Sequence, residues 1–90
     1  MELISNTGFQ NLTKTEQISM VMCMGKKLLD RVSDQYLVKL FILSNIFVEV
    51  WHETKTNNIV KLNTTNRQNI NKDYDVKNDV FYYIFNEQKT

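Results

Sequence analysis

The chain opens on a short mixed stretch and changes character at Thr13. In TKTE, Thr13 and Glu16 stand at capping-box spacing: the threonine hydroxyl can accept from the backbone N–H of Glu16, and the carboxylate can reach back. Beyond it Ile18, Val21, Met22, Gly25, Leu28, Leu29 and Val32 recur at helical intervals, with Gln17, Ser19, Lys26, Lys27, Asp30 and Arg31 on the other side. That spacing predicts an amphipathic helix over about 14–33. Gly25 falls on its apolar stripe and costs about 1 kcal/mol against Ala in mid-helix, so close approach to a sheet is its expected role. Residues 1–12 are expected to fray, with Phe9 or Leu12 docking on the core.

YLVKLFIL, residues 36–43, and IFVEVWHE, residues 46–53, are rich in β-branched and aromatic residues and bounded by polar ones. Both read as strands, and NIVKLN, residues 58–63, as a third. A two-residue turn at Ser44-Asn45 pairs Ile42 with Phe47, and sets Lys39 among Val48 and Val50 and Glu49 among Val38, Leu40 and Ile42. A three-residue loop, Leu43-Ser44-Asn45, pairs Ile42 with Ile46 and keeps one face apolar. It also sets Lys39 opposite Glu49, a favourable cross-strand pair, and is the register expected here. TTNRQNINKD is polar and lacks a clear period. The last segment fits either a helix capped at Asp73 or Asn78, with Val80, Phe81, Ile84 and Phe85 as its stripe, or a strand, VFYYIF. The helix, over about 73–87, is favoured because apolar sheet surface needs a cover. The expected fold is α+β: an N-terminal helix, a three-stranded antiparallel meander and a C-terminal helix, in one small domain over 1–90.

Composition narrows the function classes. Eleven basic and ten acidic side chains leave a net charge of +1, too small a field to draw in nucleic acid or an anionic membrane. The single cysteine, Cys23, rules out an internal disulfide. With no secretory leader pattern, a cytoplasmic setting is expected. The longest apolar stretch, LFILSNIFVEV, is too short to span a bilayer as a helix.

The helix with Gly25 and Arg31, the Tyr36-x-Val38-x-Leu40 strand, the tight turn and the Val48-Glu49-Val50-Trp51 strand form a recognisable order. It resembles a group of short uncharacterised proteins of Bacteroidetes-type bacteria. The likeness covers about residues 16–63; this chain has His52 where those have an aromatic, and Ser44-Asn45 where they often have Gly or Asp. It implies a compact α+β fold and no known activity, and it carries over no catalytic residue.

Three features invite a chemical reading. His52 lies beside Glu49 and Glu53, but the strand period sends both glutamates to one face and His52 to the other. Cys23 lacks a partner in sequence to lower its pKa and reads as a small packed hydrophobe among Met20, Met22 and Met24. Only Gly8 and Gly25 are glycines, so no phosphate-cradling loop is present. These readings predict no enzyme, no metal and no cofactor. The third feature is a sheet face carrying Leu37, Lys39, Phe41, Phe47, Glu49 and Trp51 in the expected register, too apolar to be left in water. It predicts a non-enzymatic interaction or self-association module that meets another protein or a second copy. A nucleic-acid-binding regulator stacking bases on the same aromatics is the alternative. The chain's own tail, through Tyr74 and the residues after it, is a further candidate to cover that face.

Overall fold

The structure, a computed structural model, describes residues 4–74. Ser5 caps a short helix, α1 (Asn6–Gln10), its side chain accepting from Gly8 N. A frayed end with Phe9 or Leu12 docking on the core was expected here; Phe9 is fully buried, Leu12 packs against the same cluster, and the segment forms a helical turn. The capping box forms: Thr13 Oγ1 accepts from Glu16 N at 3.2 Å, and Glu16 Oε1 accepts from Thr13 N at 2.9 Å. These bonds hold the Glu16 carboxyl below its ordinary pKa.

The helix so started, α2 (Lys14–Met24), stops at Gly25 rather than running to Ser33. Gly25 keeps the last helical bond, N–H to Val21 O at 2.8 Å, while its own backbone is already extended. A Cβ there would stand 2.6 Å from Val21 O, so glycine is what allows helix to pass directly into strand. The rest of the expected helix is a strand, β1 (Lys26–Ser33). A bulge between Lys27 and Leu29 explains the misleading pattern. It brings the adjacent Leu28 and Leu29 against the same cluster, breaking the alternation that marks a strand.

Three more strands follow, β2 (Tyr36–Leu43), β3 (Ile46–Glu53) and β4 (Ile59–Thr65), and the sheet is an antiparallel meander in the order β1-β2-β3-β4. The sheet therefore has four strands, not three. Asp34-Gln35 and Ser44-Asn45 are two-residue connections with left-handed backbone at the first position, φ 57° and 56°, the sign pattern of type II′ hairpin turns. The short Ser44-Asn45 turn corrects the expected register: Leu43 pairs with Ile46, Ile42 with Phe47, Leu40 with Glu49 and Lys39 with Val50. Of the two charges that argued against it, Glu49 is met from β1 by Arg31, and Lys39 stands opposite Asp30, whose carboxylate is paired with Lys27 at 2.8 Å.

Each face of the sheet has its own cover. On the α2 side Phe41, Leu43, Ile46, Val48 and Val50 pack with Phe9 and Val21. The other side is covered by α3 (Arg67–Asp73), which arises in a stretch whose sequence has no clear period. Asn66 caps it by accepting from Asn69 N at 2.9 Å, and Ile70 with Tyr74 packs on Leu40, flanked by Leu28, Leu29 and Phe47. Each large side chain fully buried in these clusters contributes about 1.5–3 kcal/mol. The helix expected over about 73–87 lies, past Tyr74, outside the described residues. Among the described residues no helix is long and apolar enough to cross a membrane.

Candidate functional site

The register sets four residues in one row across the α3 side of the sheet: Arg31 of β1, Val38 of β2, Trp51 of β3 and Lys61 of β4. Val38 is short and fully buried, which leaves room above it for the larger neighbours. The Arg31 guanidinium carbon lies 5.1 Å from the centre of the Trp51 ring, and Lys61 Nζ lies 4.7 Å from it. The two cations reach the indole from opposite flanks of the sheet. Tyr36, one row along, meets the same ring edge-on, with centroids 5.9 Å apart and planes at 63°. Each such cation–ring contact contributes about 0.5–1 kcal/mol at an open surface.

The next row holds Leu29, Leu40, Glu49 and Asn63. Glu49 is only 4% exposed, so its charge needs partners. Its Oε2 accepts from Arg31 Nη2 at 3.2 Å, Arg31 Nε at 3.3 Å and the Tyr74 hydroxyl at 2.8 Å, and its Oε1 accepts from Asn63 Nδ2 at 3.3 Å. The Arg31 guanidinium also lies 5.3 Å from the Tyr74 ring. Burial, and then the Glu49 carboxylate beside it, push the Tyr74 phenol well above its ordinary pKa. Burial works against the Arg31 cation, but Tyr74 and Glu49 outweigh it and raise its pKa. Arg31 thus joins two structures: the carboxylate network that fastens Tyr74, at the end of α3, and the open row around Trp51.

The six residues expected to share one surface are divided by the register. Phe47, Glu49 and Trp51 are on the α3 side, whereas Leu37, Lys39 and Phe41 are on the α2 side. Phe41 is buried beneath the helices, and Phe47 flanks the Ile70–Tyr74 cluster. Leu37 is half-buried, opposite Val32, which is 74% exposed. Only Trp51 belongs to the open row. Tyr74 was in view from the sequence as part of a candidate cover for the sheet, and Lys61 only as a member of the strand expected over 58–63. Arg31 and Asn63 were not, because reading residues 26–33 as helix took Arg31 away from the sheet altogether.

His52 points to the α2 side, away from Glu49 and Glu53, as the strand period requires. It stands between Leu37 and Ile59, buried, and neither ring nitrogen has a hydrogen-bond partner among the described residues. Trp51 Nε1 and Asn63 Oδ1 are likewise buried without a partner there. Cys23 is exposed on α2. Among the described residues no three His, Cys, Asp or Glu side chains gather as a metal site. Comparison with protein-family models, with curated proteins and with solved structures finds no match to this chain.

Proposed function

We propose that the protein is a non-enzymatic interaction module that binds an acidic segment of another protein through the row Arg31–Trp51–Lys61, with Tyr36 at its edge. The observation that carries this reading is the position of the sole tryptophan, half-buried between two cations. Trp, Tyr and Arg are the residue types that dominate contact energies between proteins. Here they are already ordered by one another, so a partner need not immobilise them. Lys61 is exposed at an edge strand, and its ammonium supplies a donor for a partner carboxylate. A catalytic reading finds less support. The oxygens of the buried carboxylate, Glu49, are taken up by Arg31, Tyr74 and Asn63, and His52 faces the other side of the sheet.

Single-stranded nucleic acid is the competing partner, since bases stack on exposed aromatic rings. The two cations over the Trp51 ring argue against it, because a base would have to displace one of them to stack. A test is selection of binders from a random peptide library, with counter-selection on Trp51→Ala. Enrichment of peptides carrying Asp or Glu beside an apolar residue, with binding lost in Trp51→Ala and in Lys61→Glu, is the expected result. Peptides that bind both variants as well as the wild type refute the proposed surface. Salt-dependent binding of a short oligonucleotide that needs Trp51 replaces the protein partner by nucleic acid. Because Trp51 is the only tryptophan, its emission reads each titration at the site itself.

A further inference from the structure

β4 is an edge strand, and part of its outer side is unclaimed. The turn at Ser44-Asn45 makes Leu43 and Ile46 a pair that exchanges both backbone bonds, and such pairs alternate along an antiparallel ladder. Along β3 the even-numbered residues therefore bond to β2 and the odd-numbered ones to β4. Their β4 partners, Lys61, Asn63 and Thr65, turn their backbone groups inward, so Leu62 and Thr64 turn theirs out. Two carbonyls along this edge are already met by side chains: Lys14 Nζ donates to Val60 O at 3.3 Å, and Asn63 Nδ2 to Thr64 O at 3.3 Å. Leu62 N–H, Leu62 C=O and Thr64 N–H have no partner among the described residues. We propose that the acidic segment binds as a fifth strand, antiparallel to β4, on these groups. The inference rests on the reading of the Trp51 row as a protein-binding surface and adds the backbone form and register of the partner.

Charge selects the occupant. Lys61 is exposed and has no carboxylate partner among the described residues; its ammonium lies over the Trp51 ring. In the added strand the residue opposite Lys61 projects to the α3 side, in the kind of pair that brings side chains closest, so an aspartate or glutamate there meets the ammonium. The residue opposite Leu62 projects to the α2 side, where Leu62 packs against the core cluster, and an apolar side chain fits it. Strand alternation thus accounts for an acidic residue next to an apolar one. A lysine on an edge also turns away neutral and basic strands. The other edge, β1, carries two devices that block strand addition, the bulge between Lys27 and Leu29 and the Lys27–Asp30 ion pair at 2.8 Å.

Amide exchange and backbone-methylated peptides, both read by nuclear magnetic resonance, test it. In the free chain the Leu62 and Thr64 amides should exchange at least about tenfold faster than the Asn63 amide, which is bonded to β3. The probe is the capped hexapeptide Thr-Val-Thr-Val-Asp-Val, in which the aspartate stands opposite Lys61 and the valine before it opposite Leu62. That valine points its N–H at β4, and the aspartate points its own away. N-methylation of that valine should weaken binding at least about tenfold, N-methylation of the aspartate less than about threefold, and the bound probe should slow exchange at Leu62 and Thr64. Because only the peptide changes, folding of the chain is not in question. No binding up to about 5 mM probe overturns strand addition, as do equal losses from the two methyl groups or unchanged exchange at Leu62. Such losses, with binding still dependent on Trp51, leave the row standing as the binding surface. Binding that follows the methylation pattern but is unaffected by Trp51→Ala upholds the strand on β4 and overturns the row.

Discussion

Arg31→Met is the most direct probe of the polar network. Methionine keeps the hydrocarbon stem and removes the cation. Glu49 would stay 4% exposed, keep the Tyr74 hydroxyl and the Asn63 amide, and lose both guanidinium bonds. Removing one partner of a buried ion pair costs about 3–5 kcal/mol. The Arg31 side chain is 20% exposed, and that partial solvation already weakens the pair, so the lower end, about 3 kcal/mol, is expected. Glu49→Leu alone should cost less, about 1–2 kcal/mol, because Arg31 can turn toward water, the Asn63 amide keeps its bond to Thr64 O, and the Tyr74 hydroxyl is the group left with no acceptor. The double variant holds no buried charge and should be no less stable than Glu49→Leu. The coupling is then at least about 3 kcal/mol in size, well above the error of a mutant cycle. A domain of this size has only about 5–10 kcal/mol of stability in total, and 3 kcal/mol lowers its melting temperature by about 12–24 °C. Urea unfolding gives the free energies, followed by far-ultraviolet circular dichroism as well as by fluorescence, because Arg31 touches Trp51. A loss below about 1 kcal/mol for Arg31→Met, or an additive double variant, would mean that the network contributes far less than a buried ion pair.

Three further outcomes are expected. The Tyr74 phenol has its pKa raised on folding, so the stability it contributes is complete below its ordinary value near 10 and is lost as the pH climbs above that. Urea midpoints should therefore fall between about pH 10 and 11.5, and fall less steeply in Tyr74→Phe, a variant that is itself weaker by about 1–2 kcal/mol at neutral pH. Gly25→Ala sets a Cβ against backbone at Val21 O and should cost about 1–3 kcal/mol in thermal unfolding. Asp34→Val puts a β-branched residue at φ 57°; it should cost about 1–2 kcal/mol, and Asp34→Gly, measured beside it, should not.

The parts of the fold visible in the sequence are those set by short-range chemistry. The Thr13–Glu16 cap is one. The ends of the two central strands are another, because β-branched runs meet polar turns there. The sides taken by Val48, Val50 and His52 against Phe47, Glu49 and Trp51 follow from the strand period alone. What escaped the sequence depends on long-range partners. Leu28, Leu29 and Val32 fit a helical stripe as well as a bulged strand, and the stop at Gly25 depends on a clash seen only once the backbone is in place. That error spread to the hairpin. With residues 26–33 taken as helix, Glu49 lacked its partner Arg31 and Lys39 its cross-strand neighbour Asp30, and the true register looked too costly. The short α3 was hidden for another reason: two apolar residues, Ile70 and Tyr74, fasten it, too few to show a period. The open row around Trp51 inherits all of this, since two of its members come from the edge strands.

Every strand of the sheet pairs with the strand next to it in sequence, and the connections are 34–35, 44–45 and 54–58. The chain can therefore build the sheet by closing one small loop after another. Such closures take about 1–10 µs for a hairpin, and a topology made of local pairings folds faster than one needing distant strands. During synthesis the β1–β2 hairpin can close before β4 has been made, so β1 does not have to wait for a later strand as a parallel sheet requires. Trp51 meets Lys61 only when the last hairpin closes and Arg31 only when β1 is in place, so its emission marks the completion of the sheet from both sides.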